Sequence, residues 1–264
     1  MSLRVAVTLP TVYPDDSFAD ATARAAAAGA DGVEFFDWDA ADLETLTQAA
    51  AEHDVQIAGT LSAAPVASIE GPDGMTDPDC ADDAVAAIEE SLPVAADLGC
   101  ETLIVTTGPE QAGLDRETQY ESVVDVLSRA APAAEDAGVT LVLEPLNTVV
   151  DHPGYFLTDS AEAFDIIRAV DSPRVKLLYD VYHQQITEGN LIDTLTEHVD
   201  LIGHIHVADV PGRHEPGTGE IDYANVIRAL ADAGYDGYVG CECFPEGDPD
   251  AAVERVVDYV ESAN

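Results

Sequence analysis

The sequence predicts a single (β/α)8 barrel. Strand-like apolar runs alternate with helix-like segments eight times, the pattern of a parallel sheet joined by crossover helices. The length, 264 residues, is close to the roughly 250 typical of such a barrel and allows one sizeable core. No Gly-rich dinucleotide fingerprint follows the first strand, which disfavours the runner-up, an open doubly wound sheet.

The strands are expected at 3–9, 32–36, 54–61, 102–106, 139–144, 174–180, 201–207 and 237–242. The helices between them are expected at 17–29, 40–53, 80–98, 116–137, 159–170, 190–198, 222–233 and 248–262. Val85, Ile88, Leu92 and Ala95 form a helical stripe, as do Tyr120, Val123, Leu127 and Ala130. Pro93 and Pro132 fall inside these two helices and should kink or interrupt them. Gly29, Gly99, Gly138 and Gly234 each follow a helix and precede a strand, as a left-handed C-terminal residue would. Asp159-Ser160 supplies an N-cap for the fifth helix. No composition break marks a linker, so residues 1–264 read as one domain. Two strand-to-helix connections are long, 62–79 and 207–221. In a barrel they lie on the catalytic rim, and the first is expected to act as a lid.

Composition narrows the class of function. Hydrophobic residues make up 47% of the chain, so it folds despite its charge. No apolar run reaches 18 residues, which excludes a helical membrane span. The N-terminus runs directly into a strand without a secretory signal layout, and a cytoplasmic protein is expected. There are 52 acidic and 10 basic residues, a formal charge of −42, and only one lysine, Lys176. Such a surface repels itself in dilute buffer. Molar salt shortens the Debye length to about 3 Å and screens it. The balance reads as a protein from a high-salt cytoplasm, a halophile, and disfavours nucleic acid as a partner. Cys80, Cys100, Cys241 and Cys243 form no CxxC pair and are expected to be buried free thiols.

Four polar residues close four apolar runs. They are Glu144 after Leu141-Val142-Leu143, Asp180 after Leu177-Leu178-Tyr179, His206 after His204-Ile205, and Glu242 after Val239-Gly240-Cys241. Side chains alternate along a strand, so each has a defined face. If those faces point inward, all four converge at the C-terminal mouth. Three carboxylates that close cannot all stay ionised without a cation. Two Glu, one Asp and one His suit Mg²⁺ or Mn²⁺, and the lack of a thiolate disfavours zinc. A strand-end carboxylate can also be only a solvated residue or a helix cap. His204 lies one inward step below His206 and reads as barrel interior. His53, His152 and His198 read as surface or helix-end residues, and His214 sits in the rim loop with no assigned role. Glu34 ends the second strand, either lining the pocket or solvated in a loop. Phe36 and Trp38 are candidates for an apolar wall.

Five segments carry a resemblance: Glu144-Pro145-Leu146-Asn147, Tyr179-Asp180-Val181-Tyr182-His183-Gln184-Gln185, Ile202-Gly203-His204-Ile205-His206-Val207-Ala208-Asp209, Glu215-Pro216-Gly217-Thr218-Gly219-Glu220-Ile221 and Gly240-Cys241-Glu242. Together they resemble the hydroxypyruvate isomerase family of the xylose-isomerase-like TIM barrels, clearly over 139–245 and more loosely upstream through Gly32-Val33-Glu34-Phe35. The resemblance implies one divalent metal held by Glu144, Asp180, His206 and Glu242, with Glu144 and Glu242 as the acid–base pair. It implies an isomerase of carbohydrate metabolism that converts hydroxypyruvate to tartronate semialdehyde through a cis-enediolate. Arg213 is the natural partner for a substrate carboxylate, because a guanidinium binds it in bidentate fashion. A structural ion pair with Glu215 or Asp209 is its alternative. His183 is placed to hydrogen-bond a substrate oxygen or to orient a ligand.

The chain departs from the pattern at His206, where the family's bacterial isomerases often carry Gln and the epimerases carry His. A ketose 3-epimerase and a 2-oxo-tetronate isomerase therefore stay open. So does a barrel that binds sugar or metal without turnover. A metal-dependent nuclease on the same architecture is disfavoured by the scarcity of His and the negative surface. The partner expected is a small hydroxy-oxo acid or sugar, with no membrane, and a homo-oligomer is compatible with the sequence.

Overall fold

The computed structural model describes residues 2–38, 41–69, 71 and 74–264. Eight parallel strands close in chain order: β1 (Arg4–Thr8), β2 (Gly32–Phe35), β3 (Gln56–Leu61), β4 (Thr102–Val105), β5 (Thr140–Leu143), β6 (Val175–Asp180), β7 (Ile202–Val207) and β8 (Tyr238–Cys241). β1 pairs with both β2 and β8, so the sheet has no free edge and the open-sheet alternative falls. Around the barrel run α1 (Leu9–Val12), α2 (Phe18–Ala27), α3 (Leu43–His53), α4 (Ala81–Leu98), α5 (Arg116–Ala137), α6 (Ser160–Val170), α7 (Val181–Thr187), α8 (Leu191–Glu197), α9 (Tyr223–Ala233) and α10 (Pro249–Ala263). α1 and α7 are short additions to the expected eight. No described helix is long and apolar enough to cross a membrane.

The acidic composition is put to use at the helix starts. Asp42, Asp115, Asp159, Asp222 and Asp248 each cap a helix through the side chain, satisfying an orphan backbone N–H where negative charge also suits the helix dipole. Gly99, Gly138 and Gly234 end α4, α5 and α9 in the left-handed region, and Gly29 follows α2 in the same conformation. α3 and α6 stop instead on Asp54 and Asp171, at φ 58° and 53°.

Pro93 and Pro132 do not interrupt their helices, which run unbroken from 81 to 98 and from 116 to 137. Both prolines are exposed, as are Glu89 and Ser128 four residues before them. The carbonyls that lose an amide partner therefore face water, which limits the cost.

Two kinds of core result. The large one lies between the outward strand faces and the helices. Inside the barrel are two small clusters, Ala6 with Ala58 and Tyr238, and Ile104 with Val142 and Leu178. These fill the middle of the barrel and leave its C-terminal layer to polar side chains. Cys100, Cys241 and Cys243 are buried free thiols as expected, whereas Cys80 is only half-buried. Of the 62–79 connection, Glu70, Pro72 and Asp73 lie outside the described residues. Its described part joins Phe36 and Trp38 in lining a cavity of about 320 Å³.

Candidate active site

Glu144, Asp180, His206 and Glu242 converge. Each offers a ligand atom, and the four atoms lie within 4.8 Å of one another. The strands deliver them in related ways. Asp180 ends β6 and His206 is the penultimate residue of β7. Glu144 and Glu242 stand one residue beyond β5 and β8, yet their amides continue the ladder by donating to Val105 O and Val207 O. All four are buried.

Asp180 is also the N-cap of α7. Its Oδ1 accepts from the amides of Tyr182 and His183 at 2.7 and 3.3 Å. The cap fixes the carboxylate and leaves Oδ2 without a hydrogen-bond partner among the described residues. His206 Nδ1 is likewise buried without a hydrogen bond among the described residues; it lies 3.0 Å from Glu242 Oε2, but without hydrogen-bond alignment. Glu144 Oε1 is 3.9 Å from the same nitrogen.

Without a cation this arrangement is electrostatically costly. Burial, then repulsion from Glu242, pushes Glu144 up to about 8. Burial also raises Asp180, although Arg213 pulls the other way. Burial would raise Glu242 too, but Arg213 and His206 outweigh it and hold that carboxylate at about 2. Burial would discharge His206, yet Glu242 and Glu34 outweigh it and raise its pKa well above the ordinary value. A dication would replace this repulsion with attraction. The hard oxygen and imidazole donors, together with the unpartnered Asp180 Oδ2 and His206 Nδ1, fit Mg²⁺ or Mn²⁺.

Arg213 reaches into the site from the 207–221 loop. Its Nη2 donates to Glu242 Oε2 at 2.7 Å and lies 3.5 Å from Asp180 Oδ2. The expected alternative, a pair with Glu215 or Asp209, is not formed. Buried Asp209 instead ties the loop together by accepting from the amides of Val210, Gly217 and Ile221. Gly219 is needed there, since a Cβ would lie 2.1 Å from Val210 O. Arg213 itself has φ 57°, and its carbonyl accepts from the Phe244 amide. Arg213 Nε is buried and has no hydrogen-bond partner among the described residues. His183 sits beside Asp180, with Nε2 3.6 Å from Oδ2.

Glu34 requires a correction. It is neither solvated nor in a loop, but completely buried within β2. Its Oε2 accepts from Thr8 Oγ1 at 3.0 Å and faces His206 Nε2 at 3.1 Å, while Oε1 lies 2.6 Å from His204 Nε2. Burial raises its pKa, but the two histidines prevail and hold it well below the usual carboxylate range. Glu34 thus forms a layer directly beneath the four convergent residues. Gly240 is the neighbour that makes room, because a Cβ there would lie 2.6 Å from His206 Cδ2 and 2.9 Å from Glu34 Oε2. The sequence held a signal for this layer: Gly32 and Glu34 share the inward face of an otherwise apolar strand. His204 is in the barrel interior as expected. His152 is not a simple surface residue, since its ring lies 5.4 Å from that of His183. His214 Nδ1 contacts Phe244 O at 2.8 Å, which ties it to the rim.

Known proteins share this architecture. The chain is 34% identical to a 2-oxo-tetronate isomerase of Cupriavidus necator over 97% of its own length and 98% of that protein. It is 32% identical to a hydroxypyruvate isomerase of Escherichia coli, covering 97% and 99% of the two chains. With several other relatives the alignment spans about 60% of their length. The crystal structure of an AP endonuclease, family 2, from Brucella melitensis superposes with a TM-score of 0.89 at 28% identity, covering 98% of this chain and 100% of that one. The family model for the xylose isomerase-like TIM barrel matches residues 22–263, and the chain belongs to that family.

Proposed function

We propose that this isomerase acts on short hydroxy-oxo acids, converting hydroxypyruvate to tartronate semialdehyde with one bound Mg²⁺ or Mn²⁺. The observation that carries the reading is a guanidinium, Arg213, set 2.7 Å from one of two convergent glutamates and with no partner for its Nε among the described residues. A substrate that presents a carboxylate beside an exchangeable C–H bond matches that grouping.

The residues divide the work as follows. Glu144, Asp180, His206 and Glu242 would hold the cation, which when bound would supply Lewis-acid stabilisation of the developing negative charge. Arg213 binds and orients the substrate carboxylate. One glutamate takes a proton from C3, leaving a cis-enediolate. The proton of the C3 hydroxyl moves to the C2 oxygen as the C3 carbonyl forms. The other glutamate returns a proton to C2. The sum is an aldehyde at C3 and a hydroxyl at C2, with no net redox change. Glu144 and Glu242 come from strands three apart in the barrel, which suits them to opposite sides of the reacting carbons.

His206 favours one second reading, a ketose 3-epimerase, and the Cupriavidus relative supports 2-oxo-tetronate as a substrate. A nuclease is disfavoured by the −42 charge, which opposes phosphate backbones. Turnover of the metal-loaded protein on hydroxypyruvate, a 2-oxo-tetronate and a free ketose separates these readings. Highest kcat/KM on hydroxypyruvate, lost on chelation and restored by Mg²⁺ or Mn²⁺, is expected. Preference for the ketose, full activity without metal, or no turnover at all overturns the proposal.

A further inference from the structure

Asn147 follows Glu144 in the Glu144-Pro145-Leu146-Asn147 segment, and both it and His183 are fully buried. The backbone N–H of Asn147 donates to His183 Nδ1 at 3.2 Å. A backbone amide can only donate, so Nδ1 must present a lone pair. The Asn147 side-chain nitrogen lies 2.7 Å from the same atom. Its orientation is fixed independently: Asn147 Oδ1 accepts from the amides of Val150 and Asp151 at 2.9 and 3.4 Å, and Nδ2 donates to Asp151 Oδ2 at 2.8 Å. Flipping the amide would set its oxygen against a carboxylate and its N–H bonds against two amide donors. Two donors therefore converge on Nδ1. A proton on that nitrogen, in either the other tautomer or an imidazolium, would place N–H against N–H. The ring is further held between Tyr182 and His152, at centroid distances of 5.2 and 5.4 Å. Its Nε2 has no hydrogen-bond partner among the described residues and faces the mouth beside Asp180.

We propose that Asn147 is a positioning residue that locks His183 as the neutral Nε2–H tautomer, so that His183 serves the substrate as a hydrogen-bond donor and not as a base. The second half rests on the isomerase reading; the first half does not. An Nε2–H aimed at the mouth stabilises an oxygen on which charge develops, and it leaves proton transfer at carbon to the glutamates.

The test has two independent readouts. Long-range ¹H–¹⁵N spectra of the metal-free, ligand-free protein with ¹⁵N-labelled histidine report each ring's tautomer; His183→Gln assigns the signal. Wild type is expected to show the His183 proton on Nε2 and a lone pair on Nδ1. Asn147→Asp replaces the amide donor with an acceptor at the same place and should shift population onto Nδ1–H. In the metal-loaded enzyme it should raise KM for the substrate about 10-fold, roughly one hydrogen bond's worth, and Asn147→Gln, which keeps the amide donor, should recover part of that loss. A wild-type Nδ1–H or imidazolium signal overturns the tautomer assignment while leaving the isomerase reading intact. A shifted tautomer with unchanged KM overturns the donor role. If no substrate turns over, the functional reading fails and the tautomer spectra still decide the first half. The wild-type spectrum does so even if an Asn147 variant fails to fold.

Discussion

The two mouths of the barrel treat charge in opposite ways. At the N-terminal mouth, Arg4, Arg174 and Lys176, three of the ten Lys and Arg residues, line a cavity of about 560 Å³. Each has a hydrogen-bond partner in the protein itself. Arg4 forms a two-bond pair with Glu101 at 2.6 and 2.8 Å and stacks on Tyr238. Arg174 donates to Thr140 Oγ1 and Lys176 to Asp200 O. At the C-terminal mouth the carboxylates of Glu144, Asp180 and Glu242 crowd around His206 within 4.8 Å, and Asp180 Oδ2 and His206 Nδ1 have no hydrogen bond among the described residues. One strand carries both patterns, because Lys176 and Asp180 share the inward face of β6. At the floor each cation has its own partner, which reads as structure; at the rim like charges are crowded together, which reads as a site awaiting a ligand. This matches the usual division of a barrel into a stable floor and a chemical rim.

The largest expected effect breaks this contrast at the rim. Glu144→Gln and Glu242→Gln keep the shape and one oxygen donor but remove the base. Each should lower kcat by roughly 100-fold or more if proton transfer is its task. Glutamine also weakens metal binding, so the rates are to be compared at saturating metal with occupancy measured. Near wild-type kcat at full occupancy would reduce that glutamate to a ligand and discard the two-glutamate mechanism.

A smaller effect is expected one layer down. Glu34 accepts at His206 Nε2 and so turns Nδ1 toward the carboxylates. If His206 is a metal ligand, Glu34→Gln should weaken Mn²⁺ binding by about 10-fold, the size of effect expected for a residue that orients a liganding histidine. Calorimetric titration of the metal-free protein measures this directly. An unchanged Kd would make Glu34 filler for the barrel interior and shrink the site to its upper layer.

Much of this organisation was legible because strands impose a period of two. Once Glu144, Asp180, His206 and Glu242 were placed at strand ends, their convergence followed from alternation and closure alone. The glycine stops were legible for a similar reason, since only glycine adopts a positive φ without strain. What escaped was long-range. Glu34 lies 172 positions from His206, and only closure of the barrel brings β2 within reach of β7. Asn147 and Asp151 act through a loop whose folding has no period. The prolines misled because helix rules ignore solvent. A proline on the wet face of α4 or α5 leaves its orphaned carbonyl to water.

The smallest effect is expected at the floor. The Arg4 and Glu101 side chains are 33% and 53% exposed, so their pair is worth at most about 1 kcal/mol. Arg4→Met should lower Tm by roughly 2–4 °C for a domain of this size and leave kcat unchanged. Salt sharpens the comparison. Taking KCl from about 0.1 M to 1 M shortens the Debye length from about 10 to 3 Å. The self-repulsion of a −42 chain is then screened, and Tm should rise steeply in wild type and variant alike. The same screening weakens the exposed Arg4–Glu101 pair, so the gap between the two proteins should narrow as salt increases. Thermal melts across the series, with kcat measured at each salt concentration, check all three statements. A flat Tm would show that repulsion does not limit the fold. A loss of kcat in Arg4→Met without a loss of Tm would couple the floor to the rim, and the division between the two mouths would have to be abandoned.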